Sequence, residues 1–531
     1  MKSIIIFLFT IILTAVGNAQ QLLQISSLDE SSYIDETSWY SSGNSIEDVL
    51  VVGDTIWVAT SKGLCKSGDN GMTWTNYYGS LEFEEESISS VSYYRGIVWV
   101  TTWHAEERFG SVKGFGSGIK YSTDNGLTWI TIPQPVDQER DTTIVYGINT
   151  LKSRPQITTE DNFIYNLAFS DRTLWIASLN GGVRKSIDMG VTWERVVLPP
   201  DYFNEISPEN SYNFELSPIQ SKYTTENNLN QQVFSVFALD DSVIYVGTAN
   251  GVNKSTDGGI SWRKLSHTNQ QFPIGGNHVV KIGYNEFTNS IWIANWKTVI
   301  DSEVWGLSSS SDGGDTWNTF LPGEKTHGIG FGYYCEVNNI IGSSIIAATE
   351  NGLFMSANNG ETWLRCPSIK DDNPNFELKT NSFTSISCQY KNDGTIDLWI
   401  GSLNGLVRLE EFENYWSGNW SIFFASQPLT SADKSYTFPN PFHPGRDIGV
   451  TRFKYSTSGL ANVTIRIFDF GMNLVRTVIQ NANRNLTLHD APLDYWDGRD
   501  DKGRIVPNGI YFYRIDIDSN DQLYGKILVV R

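Results

Sequence analysis

From about residue 35 to residue 425 the chain alternates short apolar, β-forming runs with turn residues. One phrase returns as an apolar run, a tight turn and a second run: DTIWVATSKGLCKS from Asp54, RTLWIASLNGGVRKS from Arg172, SVIYVGTANGVNKS from Ser242, SSIIAATENGLFMS from Ser343 and DLWIGSLNGLVRL from Asp397. IVWVTTW from Ile97 and SIWIANW from Ser290 are variants of it. Such runs predict paired strands, and the frequent Asn-Gly turns (Asn180-Gly181, Asn250-Gly251, Asn351-Gly352, Asn404-Gly405) suit the positive φ angles of a type I′ hairpin. A further strand stands ahead of each hairpin, such as FIYNLAFS from Phe163, VFSVFALD from Val233 or FTSISCQY from Phe383, and a fourth follows, such as Trp193 to Leu198. Four strands in meander order, repeated seven times, predict an all-β, seven-bladed β-propeller. A strand near Trp39 is expected to complete blade seven, leaving no free sheet edge where the ring closes.

Between the third and fourth strands lies an octapeptide of the form Ser-x-Asp-x-Gly-x-x-Trp. Faultless copies begin at Ser67, Ser122, Ser186, Ser255 and Ser310, and a sixth at Ser356 carries Asn358 in place of Asp. The Ser and Asp side chains are suited to bonding backbone groups inside a turn, the Gly to a positive φ, and the Trp to plugging the core beneath. A buried Trp removes roughly 150–250 Å² from water, whereas a turn hydrogen bond nets about 0.5–1.5 kcal/mol, so the Trp should dominate. The pattern resembles the Asp-box repeat of sialidases, sortilin-type receptors, xyloglucanases and photosystem-assembly propellers. That resemblance implies a structural role for Asp69, Trp74, Asp124, Trp129, Asp188, Trp193, Asp257, Trp262, Asp312, Trp317, Asn358 and Trp363.

The 531 residues, 40% hydrophobic and 13% aromatic, are enough for at least two cored domains. Three parts are expected: a signal peptide over 1–19, the propeller over 20–430 and a small sandwich over 431–531. Met1 to Ala19 has Lys2, an apolar run and small residues before a cleavage point, and no later stretch is apolar enough to span a bilayer. A formal charge of −20 disfavours nucleic-acid and membrane-surface partners. Cys65, Cys335, Cys366 and Cys388 have no metal-ligand spacing, and either one disulfide or buried free thiols fit them.

After Ser431 the pattern changes to VTIRIFDFGMNLVRTV, YWDGRDDKGRIVPNGIYFYRIDID and YGKILVVR, a separate sandwich. Pro439-Asn440-Pro441-Phe442, Trp496-Asp497-Gly498-Arg499-Asp500, Asn508-Gly509-Ile510-Tyr511 and the terminal Lys526 to Arg531 resemble the FlgD-like, immunoglobulin-type domain that serves as a type IX secretion sorting domain. The resemblance implies an exported, cell-surface or extracellular protein that engages type IX machinery through its tail.

Long inserts at 103–118, 133–161, 199–231, 296–307, 321–332 and 366–382 all avoid the octapeptide turn, which places them on the opposite face of the disc, around the channel. The ligand candidates there are Trp103, His104, Trp296 and Trp305, with a glycan or a protein as partner. Sugar stacking by these Trp competes with a role in capping the blade core. Weak catalytic candidates are the carboxylates Glu106, Glu107, Asp301 and Glu303, since a glycoside hydrolase needs two acids roughly 5–9 Å apart. Exposed acids on polar loops are more often simply solvated. The sialidase Arg-Ile-Pro phrase is missing ahead of the first octapeptide, and no nucleophile elbow or phosphate loop is present. His104 and His327 are lone histidines, so no metal or cofactor is expected. Binding by a monomeric, exported recognition propeller is favoured, with glycan cleavage on the same face as the alternative.

Overall fold

The computed structural model describes residues 44–530 apart from 109–110, 218–227, 337–338, 372–376, 392, 411–414, 425–433, 446–448, 458, 487–493 and 519–520. Met1 to Ala19 and Trp39 lie outside the described residues.

Seven antiparallel sheets follow one another along the chain, each with its strands in sequence order; blade four carries one extra strand. Their first strands are Ile46–Val52, Ser87–Tyr94, Ile164–Phe169, Val233–Ala238, His278–Asn285, Thr326–Glu336 and Phe383–Tyr390. Each first strand packs against the first strand of the next blade, and the seventh packs against the first. The chain is therefore a seven-bladed propeller with its first strands innermost. Among the described residues the only helical element is one 3₁₀ turn, Leu229–Gln231.

Side chains tie neighbouring inner strands together. Asp48 accepts from the Val91 amide at 3.3 Å, Asn166 from the Val236 amide at 3.0 Å, and Ser235 Oγ donates to the Val279 carbonyl at 3.4 Å. At the seam, Ser387 Oγ accepts from the Val51 amide at 3.0 Å and Thr384 Oγ1 donates to the Ile46 carbonyl at 2.6 Å. Blade seven is complete within Phe383–Phe423, its fourth strand being Asn419–Phe423. The ring thus closes by lateral packing, and the described residues include no N-terminal strand added to blade seven.

The octapeptides are staples between blades as well as within them. In the first, Ser67 Oγ donates to Asp69 at 2.8 Å and accepts from the Gly71 amide at 2.9 Å, while Asp69 also accepts from the Thr73 amide at 2.8 Å. In the sixth, Asn358 Oδ1 accepts from the Thr362 amide at 2.9 Å, so the amide preserves the turn. The Gly of each copy has a positive φ and no room for a side chain. A Cβ on Gly126 would meet Trp57 at 2.7 Å, and one on Gly259 would meet Trp175 at 2.5 Å, each ring belonging to the preceding blade. Trp74, Trp262 and Trp317 are buried and donate to the carbonyls of Gly71, Gly259 and Gly314 at 3.0–3.2 Å. Trp129, Trp193 and Trp363 are half-buried.

The described parts of the inserts at 133–161, 199–231 and 366–382 do not crowd the axial face as expected; they pack along the outer parts of the blades. Glu205–Ile206 pairs with the outermost strand of blade four, and the Tyr146 hydroxyl reaches the Ile260 carbonyl inside that blade's octapeptide at 2.9 Å. The 133–161 insert is clamped to blade three by buried Asp137, whose carboxylate meets Arg184 at 2.8 Å and Arg195 at 3.2 Å. Ile369 and Leu378 of the 366–382 insert join the core of blade seven beside Trp420 and Ile422. The physical reason lies at the rim: each outer strand leaves a row of unpaired backbone groups and an apolar face, and the connectors cover them. The 321–332 insert is mostly strand, because blade six begins at Thr326.

Beyond the propeller, seven strands form a sheet of three and a sheet of four. Phe453, Tyr455, Ile465, Trp496, Tyr513, Ile515 and Ile527 fill the space between them, making a small β-sandwich with its own core.

Candidate functional site

All seven inner strands carry a β-bulge one or two residues inside the end that opens on the loop-bearing face. A bulge leaves its extra residue out of the ladder and re-aims that side chain. The extra residues are Glu47, Ser89, Tyr165, Phe234, Val280, His327 and Thr384, one per blade around the mouth of the channel. They interact around the axis: Ser89 Oγ donates to the Ile164 carbonyl at 2.6 Å, and the Tyr165 and Phe234 rings lie 5.6 Å apart.

The ring has an aromatic arc and a polar arc. Trp103 stacks on Phe163 at 5.4 Å, Phe163 meets Tyr165 at 4.6 Å, Phe234 meets His278 at 4.2 Å, and Trp296 lies between His278 at 5.5 Å and His327 at 5.2 Å. The Lys325 ammonium sits 4.4 Å over Trp296 and pairs with Glu350 at 3.0 Å. Burial, reinforced by that ammonium, holds His278 down to about 4 and His327 to about 3, so both imidazoles are neutral near pH 7. Across blades seven, one and two the ring is polar: Thr384, Glu47 and Ser89. Burial pushes Glu47 up to about 7, against a hydrogen bond from Ser45 Oγ and with help from the neighbouring Asp48 charge.

The residues expected from sequence fall in different places. Trp103 is buried against Phe163 and offers no free face. Trp296 is half-buried within the arc, its indole donating to the Thr326 carbonyl at 2.7 Å. Trp305 is 37% exposed, with the Lys297 ammonium 5.4 Å over its ring. His104 stands on the projecting hairpin of blade two, bonded to Ser117 Oγ at 2.8 Å and Glu106 at 3.2 Å. Glu106 is half-buried and held below the usual carboxylate range by Arg108 and then His104. Glu107 and Asp301 are exposed. Glu303 is buried at 2% exposure and anchors its loop, accepting from Thr298 Oγ1 at 2.6 Å and from the Thr298 and Asn277 amides. No hydrogen bond or ion pair of the described residues joins Glu106 or Glu107 to Asp301 or Glu303. The six octapeptide carboxylates and amide, Asp69 to Asn358, are all engaged in their own turns.

Among the described residues, no group of three or more His, Cys, Asp or Glu is placed to hold a metal ion. Cys366 and Cys388 are free thiols pushed up to about 12 by burial. A shallow cleft lined by Trp57, Tyr93, Val98 and Asn125 opens at the octapeptide end of blades one and two, away from the channel mouth.

No family model matches the chain. The xyloglucanase Xgh74A of Acetivibrio thermocellus is 23% identical over 216 residues, which cover 37% of this chain and 22% of that protein. An ancestral GH74 enzyme superposes with a TM-score of 0.50 at 13% identity, over 94% of this chain and 64% of that one. PorZ, a surface component of the type IX secretion system of Porphyromonas gingivalis, superposes with a TM-score of 0.38 at 13% identity, over 92% of this chain and 66% of that one. At such identities the structural likeness bears on the fold alone.

Proposed function

We propose that this protein is an exported recognition propeller that takes a glycan or protein ligand at the channel mouth, with a C-terminal domain that directs it through type IX secretion to the cell surface or medium. The observation that carries the binding site is the ring of bulge residues. Seven independent blades each release one side chain at the same level, and Tyr165, Phe234, His278, Trp296 and His327 make a continuous aromatic wall of the kind that packs against sugar rings or apolar side chains. Similarity to a xyloglucanase supports a glycan among the ligand classes. A glycan array and a peptide library presented to the full chain test the reading. Phe234→Ala is expected to weaken any hit about tenfold or more while the melting temperature of the sandwich stays unchanged. Unaltered affinity in Phe234→Ala and Trp296→Ala would move the site off the channel mouth.

The alternative, a glycan-cleaving enzyme, is favoured by one observation: Glu47, raised to about 7, has the protonation behaviour of a general acid near neutral pH. Binding is preferred because the aromatic wall is the larger feature of the mouth. Release of reducing ends from any array hit, abolished by Glu47→Gln, would reverse that order.

The Asp-box and FlgD-like resemblances support the destination. Deleting Tyr436 to Arg531 is expected to leave a secreted-fraction signal at background while the protein accumulates in the envelope. Equal surface or medium levels for the truncated and full chains would end the sorting role.

A further inference from the structure

The strand Thr451–Tyr455 of the sandwich is buried at every position. Alternate residues of a strand face opposite sides of their sheet, so Phe453 and Tyr455, in the sandwich core, account for one side only. The other side carries Arg452 and Lys454, exposed to 3% and 1%. Two cationic side chains on the outside of a small sandwich belong in water unless something covers them.

Blade seven covers Arg452. The Arg452 guanidinium lies 3.9 Å from the centre of the Phe424 ring, which follows the last propeller strand and is itself buried in the core of blade seven. Tyr495, the cross-strand partner of Arg452, receives the Lys379 ammonium at 5.1 Å over its ring, and Lys379 belongs to the 366–382 insert and pairs with Glu377 at 2.5 Å. Two cation–π contacts thus cross the junction in opposite directions, one cation from each side, each on the other side's aromatic ring. Burial lowers Arg452 to about 10 and leaves one of its terminal nitrogens without a hydrogen-bond partner, a cost that a loosely tethered sandwich would shed by turning the guanidinium to solvent.

We propose that the outer face of the three-stranded sheet is a docking surface whose occupant is blade seven of the same chain, so that the sandwich remains seated on the propeller after the covalent link between them is cut. The tail is then a fixed neighbour of the propeller rim, and only the opposite, four-stranded face remains open to an outside partner. That face presents Phe470, Met472, Leu474 and Ile510, exposed to 45–79%.

The test uses the full chain with a site-specific protease sequence placed within residues 425–433. After cleavage, the two fragments of the otherwise native protein are expected to co-elute on gel filtration at micromolar concentration. Arg452→Met and Lys379→Ala, singly, should raise the dissociation constant of the cut complex at least about fivefold, a typical size for an enclosed cation–π contact. Phe470→Ala, on the open face, should leave it unchanged. Lys379 is on the propeller surface, so its variant reports on docking even if Arg452→Met perturbs the sandwich. Separation of the native fragments into two folded species, or equal dissociation constants for the native and Lys379→Ala complexes, would overturn the proposal.

Discussion

Trp262→Ala is expected to destabilise the propeller by about 3–5 kcal/mol, the range for truncating a buried aromatic to alanine. Trp262 is 2% exposed, packs into the core shared by blades three and four, and donates from its indole to the Gly259 carbonyl at 3.2 Å. Removing it empties a site that the neighbours cannot refill, because Gly259 is already seated against Trp175 of the preceding blade and its φ of +81° is fixed by the turn. Trp193→Ala, at the same position of blade three, should cost less, about 1–3 kcal/mol, because that ring is half-buried and its indole N–H makes no hydrogen bond. Denaturant unfolding of the two variants decides the point. A larger loss in Trp193→Ala than in Trp262→Ala would mean that burial does not rank the octapeptides.

The architecture was legible because each blade repeats its own instructions. The hairpin phrase recurs seven times, the octapeptide six times and the Asn-Gly turn four times, and all of them mark the same four-stranded unit. The course of the inserts was not legible. Loop length and composition place 133–161 and 199–231 outside the blades, but nothing in them announces that Asp137 pairs with Arg184 and Arg195 or that Glu205–Ile206 extends blade four. Those contacts are set by the exposed rim they cover, which exists only after the blades have formed.

The candidate site was half legible, for a different reason. Trp296 and His327 draw attention by residue type, and both line the mouth. Tyr165, Phe234 and Glu47 carry no such signal, because the segments that hold them read as ordinary strands, FIYNLAFS and VFSVFALD among them. Aligning those strands on Ile46, Ile88, Ile164, Val233, Val279, Thr326 and Phe383 brings the bulge column into line as Glu, Ser, Tyr, Phe, Val, His and Thr. The column needs Val279 rather than His278 as the buried residue of blade five, a choice that sequence periodicity does not make. Conversely Glu303, selected as a loop acid, is consumed by Thr298 and Asn277 because a short loop folds back on itself.

Glu47→Gln should remove a loss of stability that the native protein suffers between about pH 4.5 and pH 7. In the folded chain Glu47 is raised from 4.5 to about 7, chiefly by burial, so the native state holds a proton that the unfolded state has released. The stability this contributes is fully present below 4.5 and is lost as pH rises through about 7; the difference amounts to roughly 3 kcal/mol at 1.36 kcal/mol per unit. The octapeptide acids act in the opposite sense and in another window. Hydrogen bonds, first from the Thr128 and Thr192 hydroxyls, hold Asp124 and Asp188 down to about 2, so their contribution is present above 3.8 and is lost only as pH falls towards 2. His278 and His327, held at about 4 and 3, add stability as pH rises towards 6.5 in both proteins alike, so the difference between the native and glutamine chains at pH 5 and pH 8 isolates Glu47. The glutamine variant should match the native protein at pH 5, since a protonated carboxyl and an amide are both neutral, and should exceed it in denaturant midpoint at pH 8, where the native protein must keep a buried charge beside Asp48 in the polar arc of the ring. Parallel stability curves for the two proteins from pH 5 to pH 8 would show that Glu47 is solvated in the channel, and with that the case for it as an acid at the site would fall.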